Sequence, residues 1–171
     1  SAVKYYNKAI ALDDQFADPY AYVAISYYYM DMFKVEKEHL DKLDTYADKA
    51  LLLNGTLPEA LIARGLYYMN SGRYEEAIDY FKKVLAYNPN SAWTHNFLSE
   101  IYHKYLPDTE LYLIHALSAM KLDLSTSDSA DVSITHLILA NAFGQSGMLA
   151  KAKEHVRISL EYDVNNTFSK Y

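Results

Sequence analysis

Apolar residues recur along this chain every three or four positions, and the strict alternation typical of strands is scarce. The 5 Gly and 4 Pro punctuate stretches of about 12 to 16 residues, which predicts helices joined by short turns. Residues 58–90, PEALIARGLYYMNSGRYEEAIDYFKKVLAYNPN, show the pattern best: two amphipathic helices hinged at Ser71, Gly72 and Arg73. In the second, Tyr74, Ala77, Ile78, Phe81, Val84 and Leu85 share one face. Gly65 has no side chain, so a neighbouring helix can approach closely. Gly72 suits the left-handed position that ends a helix, and Pro89 stops the helix before it.

This stretch resembles the tetratricopeptide repeat (TPR), a unit of about 34 residues built from two antiparallel helices. Gly65, Tyr68, Gly72, Tyr74, Ala77, Phe81 and Pro89 fall in order on the family's small, aromatic, glycine and proline positions. Leu61 and Arg64 depart from it, standing where Trp and Leu are usual. Sliding by the same period, Leu98, Ser99 and Tyr102 repeat the triplet of a first helix, followed by a hinge at Leu106, Pro107 and Asp108 with one extra residue. Leu139, Ala140, Phe143, Gly147, Ala152, Val156 and Leu160 restore it after an added seven residues, assigned to the polar segment 125–131. Upstream, Val23, Ala24 and Tyr27 give the triplet again, with seven extra residues within 31–37 that are expected to lengthen the helices by two turns.

The resemblance thus implies an all-α fold, a tetratricopeptide-repeat superhelix (α-α solenoid) of antiparallel helix pairs. It divides one domain, 1–171, into a half repeat (2–16) and four repeats (17–57, 58–91, 92–125 and 126–166). A start inside a repeat and an end without a polar capping helix suggest a piece of a longer protein. More loosely, the N-terminal run resembles TPR segments of bacterial signalling and transcription regulators, which gives the alternative of a regulatory or sensor module.

Composition narrows the chemistry. The chain carries 22 acidic against 16 basic residues, a net charge of −6, and no basic run, so a nucleic-acid partner for this segment is not expected. No apolar stretch reaches membrane-spanning length. The absence of Cys removes thiolate chemistry but does not fix the compartment, for which the cytoplasm is favoured over the periplasm. Two Glu-x-x-His pairs, Glu36/His39 and Glu100/His103, have the spacing of di-iron bundles, yet the further glutamates such a centre needs are missing. His95, Ser99 and His103 share a helix face, but Ser99 occupies a small, packed position of the repeat. Asn54 and Asn165 open glycosylation-like triplets of little weight, and Gly55 is read as the end of a helix. No catalytic residue, metal or cofactor is assigned.

In a TPR superhelix the first helix of each repeat lines the concave face. The resemblance therefore implies a peptide-binding groove of Tyr22, Tyr28, Tyr29, Glu59, Met69, Asn70, Trp93, Asn96, Phe97, Glu100, His103, Lys104, Asn141 and Gln145, with Ile25, Ile62 and Leu66 packed between repeats. Tyrosine is abundant, with 18 copies, and three stand in a row. Tyr27 is expected in the core, Tyr28 and Tyr29 in the groove. Lysines that would make a carboxylate clamp beside Asn96 and Asn141 are absent. The expected role is non-catalytic: binding a protein or peptide segment, with self-association through the repeat ends as a further expectation.

Overall fold

The computed structural model describes residues 2–124 and 129–162, except the side chains of 123, 124, 129–132, 134, 135 and 138. The described residues form nine helices: α1 (Ala2–Leu12), α2 (Ala17–Asp31), α3 (Leu40–Leu53), α4 (Pro58–Asn70), α5 (Tyr74–Tyr87), α6 (Ala92–Lys104), α7 (Thr109–Leu124), α8 (Ser129–Gln145) and α9 (Leu149–Tyr162). Packing is pairwise, α2 on α3, α4 on α5, α6 on α7 and α8 on α9. The chain forms two compact units, Ser1–Pro89 and Asn90–Tyr171. None of the described helices is long and apolar enough to cross a membrane.

Local chemistry sets the helix ends. Pro58 opens α4 at a position where its missing N–H costs nothing. The Ser91 hydroxyl accepts from the Thr94 N–H at the start of α6, and the Asp108 carboxylate accepts from the Leu111 N–H at the start of α7. Gly72 and Gly147 both have φ of +75°. In each turn the N–H of the following residue bonds a carbonyl five residues back, Arg73 to Tyr68 and Met148 to Phe143, both at 2.9 Å. These are two copies of one helix-ending turn, and only glycine adopts its backbone without strain. Gly55 does not serve in this way: α3 already ends at Leu53, and the next residue, Asn54, is extended.

The core follows the repeat. In Ser1–Pro89, α3 buries Leu43, Ala47 and Ala50 on one face, and α5 buries Ala77, Ile78, Phe81 and Val84. Ile25, Ile62 and Leu66 are buried as expected for residues packed between repeats. In Asn90–Tyr171, Leu113, Leu139 and Phe143 make a cluster joined by Met148 and Ala152. The lone helix α1 has no fully buried residue. It is held by Tyr6 stacked on Tyr22 at 5.2 Å and by Ile10 against the Tyr20, Ala21, Ala50, Ala60 cluster.

The first of the two insertions comes out differently from the sequence expectation. The residues added after α2 do not lengthen the helices; α2 and α3 span 15 and 14 residues, and the surplus forms a loop at 32–39. The loop closes on Asp31, which accepts from the His39 backbone N–H at 2.6 Å and from its ring at 2.8 Å. Two charge-assisted hydrogen bonds to one carboxylate hold the loop against the end of α2. Of the second insertion, residues 125–128 lie outside the described part, while 129–131 belong to α8.

Arg64, which stands where the family prefers Leu, ties α4 to α3. Its guanidinium pairs with Asp44 and, at 3.0 Å, with Asp48, and lies 4.6 Å and 4.8 Å from the ring centres of Tyr67 and Tyr68. Both aspartates are partly open to water, so stacking and stem packing contribute more than charge. Arg64→Ala is expected to cost about 1–2 kcal/mol in urea unfolding, and Arg64→Lys to recover less than half of it, because an ammonium cannot stack flat on two rings.

Candidate functional site

The expected groove residues lie on α2, α4, α6 and α8, and the structure divides them into three groups. Tyr28, Met69 and Phe97 are buried at 4%, 7% and 5% exposure, so they present little surface to a ligand. For Tyr28 this corrects the expected division of the triplet. Tyr28 turns inward, and Tyr27 is half-buried between α2 and α3, stacked on His39 at 5.2 Å with Lys42 over its face. The reason is helical geometry: α2 packs against α1, α3 and α4, so it buries more than one face.

A second group is polar and lies beside neighbours on the same helix or the next one. Glu100 pairs with Lys104 at 2.7 Å, and the Gln145 amide donates to Asn141 at 3.4 Å. The His103 ring lies tilted against Tyr112 of α7 at 4.8 Å, and the Ser99 hydroxyl donates to the Asn96 backbone carbonyl. Ser99 is half-buried, with its oxygen committed to backbone, and no serine–histidine pair forms there. The Glu-x-x-His spacings organise nothing either: His39 bonds Asp31, not Glu36. Among the described residues, Asp31, Glu38 and His39 are the one set of three such side chains whose donor atoms converge, and Lys34 already bonds Glu38 at 2.7 Å within it.

The third group is open. Tyr29 and Trp93 are 39% and 42% exposed, Trp93 leaning on Phe97 at 6.3 Å and Tyr29 meeting Tyr28 edge-on at 5.4 Å. Tyr29 also lines a pocket of ≈ 340 Å³ between α1 and α2, with Ala2, Val3, Ser26 and Met30. Its walls are chiefly apolar, and the volume suits one or two side chains. Tyr22 and Glu59 are half-buried. Burial first, and then the Glu59 charge, push the Tyr22 phenol above its ordinary value, which keeps it a neutral donor. The Asn70 Nδ2 is buried with no acceptor among the described residues, an exception to the general satisfaction of buried polar groups.

Two contacts were not anticipated. The Nδ1 atoms of His95 and His115 lie 2.9 Å apart across α6 and α7, and those of His136 and His155 lie 2.7 Å apart across α8 and α9. The sequence signal was available, since these histidines stand at matching places in two repeats.

Residues 58–91 match the tetratricopeptide repeat family. No curated protein matches the sequence. Among solved structures, the chain is similar to YrrB, described as a TPR protein with an unusual peptide-binding site, at 23% identity and a TM-score of 0.63, covering 97% of this chain and 78% of that one. It is similar to MamA at 16% identity and a TM-score of 0.61, covering 99% and 90%. The C-terminal part of a TPR repeat-containing protein from Cytophaga hutchinsonii matches at 18% identity and a TM-score of 0.61, covering 98% and 64%.

Proposed function

We propose that this chain, a tetratricopeptide-repeat protein, is a non-catalytic interaction module that binds a peptide or protein segment through the first helices of its repeats. The observation that carries this reading is the open apolar pocket walled by Tyr29, because it offers a seat for an apolar side chain beside half-exposed aromatic surface. YrrB, similar in fold, carries a peptide-binding site by its own description, which supports the class of ligand and not its sequence.

The groove residues assigned from sequence reduce, on this reading, to Tyr22, Tyr29, Glu59 and Asn70 in Ser1–Pro89, and to Trp93, Asn96, Glu100, His103, Lys104, Asn141 and Gln145 in Asn90–Tyr171. Peptides selected from a random library on the full chain provide the probe. Tyr29→Ala is expected to weaken a selected peptide about 10- to 100-fold, the size of effect usual for an aromatic anchor, with the fold unchanged by circular dichroism. Unchanged affinity in both Tyr29→Ala and Trp93→Ala would place binding on another face.

A further inference from the structure

The two units differ in what fills one repeated position. Leu61 and His136 each stand eleven residues before a left-handed glycine, and Tyr80 and His155 each stand eight after it. In the first repeat the equivalent residues are Tyr20 and Tyr46, whose rings are 6.1 Å apart. In the third they are His95 and His115, three residues before Leu98 and at the matching place of the second helix. A position held by apolar or phenolic side chains in Ser1–Pro89 is therefore an imidazole pair, twice, in Asn90–Tyr171.

A bond between two Nδ1 atoms needs one proton and one lone pair, so one ring carries its proton on Nδ1 and the other on Nε2. One added proton keeps the bond and makes it charge-assisted. A second sets two N–H donors face to face and two like charges on rings 4.9 Å apart. The geometry points to an acid-sensitive latch: double protonation of His136 and His155 breaks their bond and loosens α8 from α9, while the Ser1–Pro89 repeats keep their packing.

The surroundings oppose a second charge. His136 and His155 are 6% and 7% exposed, and Lys121 on α7 adds positive charge near both. Phe143 stacks on His155 at 5.2 Å, with Lys151 over its ring, and Tyr162 stacks on His136 at 6.5 Å. Glu154 on α9 supplies a counter-charge to His155 only. Burial, then Lys121, holds His136 below the ordinary imidazole value; burial, then His136, does the same for His155, with Glu154 pulling the other way. The His95–His115 pair repeats the contact in a half-buried setting, with Tyr102 stacked on His115 at 5.9 Å and Asp108 near Tyr102. In Ser1–Pro89 the single histidine, His39, faces the Asp31 carboxylate and not a second imidazole.

The sign follows from linkage. The unfolded chain takes up these protons near pH ~6.5 and the folded pair resists, so the contribution is complete above that pH and is lost as pH falls. The unfolding constant rises about tenfold per pH unit for each proton refused. Hydrogen exchange on the full chain, corrected for intrinsic rates, tests this. Protection of α8 and α9 should fall about fivefold for each proton refused between pH ~6.5 and ~5.5, with α4 and α5 unchanged. The double substitution His136→Leu with His155→Tyr, which installs the pair found in the second repeat, should remove the dependence. An imidazole NMR titration of the unsubstituted chain gives a second readout: only one ring of the pair should become imidazolium before α8 and α9 lose protection. Equal protection at both pH values, a pH slope unchanged in the double variant, or both rings charging within an intact fold would overturn the latch.

Discussion

Gly65→Ala will destabilise the Ser1–Pro89 unit by about 2 kcal/mol, although alanine is the better helix former. A Cβ at this position in α4 would lie 2.5 Å from Phe81 Cε1 and 2.9 Å from two further ring atoms. Phe81 on α5 is fully buried, so its ring cannot swing aside, and the two helices must separate. Overpacking of this kind costs about 1–3 kcal/mol, and three close contacts on one rigid ring place it at the upper end. The gain in helix propensity offsets at most about 1 kcal/mol of it. Urea unfolding of the full chain, with hydrogen exchange resolving α4 and α5, measures the loss. Phe81→Leu in the Gly65→Ala background should cost less than in the parent, because the smaller side chain relieves the clash. Additive losses would show that contact with the ring is not the cause.

Asp31→Ala will cost about 2–4 kcal/mol and will open the 32–39 loop to exchange, because it removes a buried carboxylate that holds three partners. Asp31 is 1% exposed, bonds the His39 backbone and ring, and lies 3.6 Å from the Lys34 ammonium. Burial pushes its pKa upward, but the hydrogen bonds from the His39 ring and backbone, with the His39 and Lys34 charges, outweigh it and leave the carboxyl below its usual value. The linkage sign follows: a depressed carboxylate stabilises the fold above its unfolded value, near pH ~3.9, and the contribution disappears as pH falls through the folded value. The stability difference between the parent and Asp31→Asn should therefore hold from pH 7 to 5 and shrink below about pH 4. That window lies well under the histidine window, so one pH series separates the two effects. A difference that shrinks already between pH 7 and 5 would rule out the carboxylate as its source.

Much of the architecture was legible because helical repeats are local. The hinge at Gly72, the close approach at Gly65 and the stop at Pro89 are properties of single residues within one turn of where they act, and all three hold. The second left-handed turn at Gly147 follows from the same spacing. Legibility failed where a residue answers to more than one neighbour. Tyr28 reads as a groove residue from its place in one repeat, but α2 packs on α1, α3 and α4, and the residue is buried. The residues added after Asp31 were expected to extend helices, since length alone carries no information about closure. The contact that turns them into a loop is a carboxylate reaching His39, eight residues away.

The sequence alone therefore determined the helical repeat, its glycine turns and the face that α5 buries, because those depend on periodicity and on backbone freedom within about one helical turn. Tertiary structure alone decided which tyrosine of the triplet is open, what Arg64 and Asp31 hold together, and that four histidines meet in two pairs. Those depend on side chains brought from separate helices to within hydrogen-bonding or van der Waals distance, and no single helix contains that information.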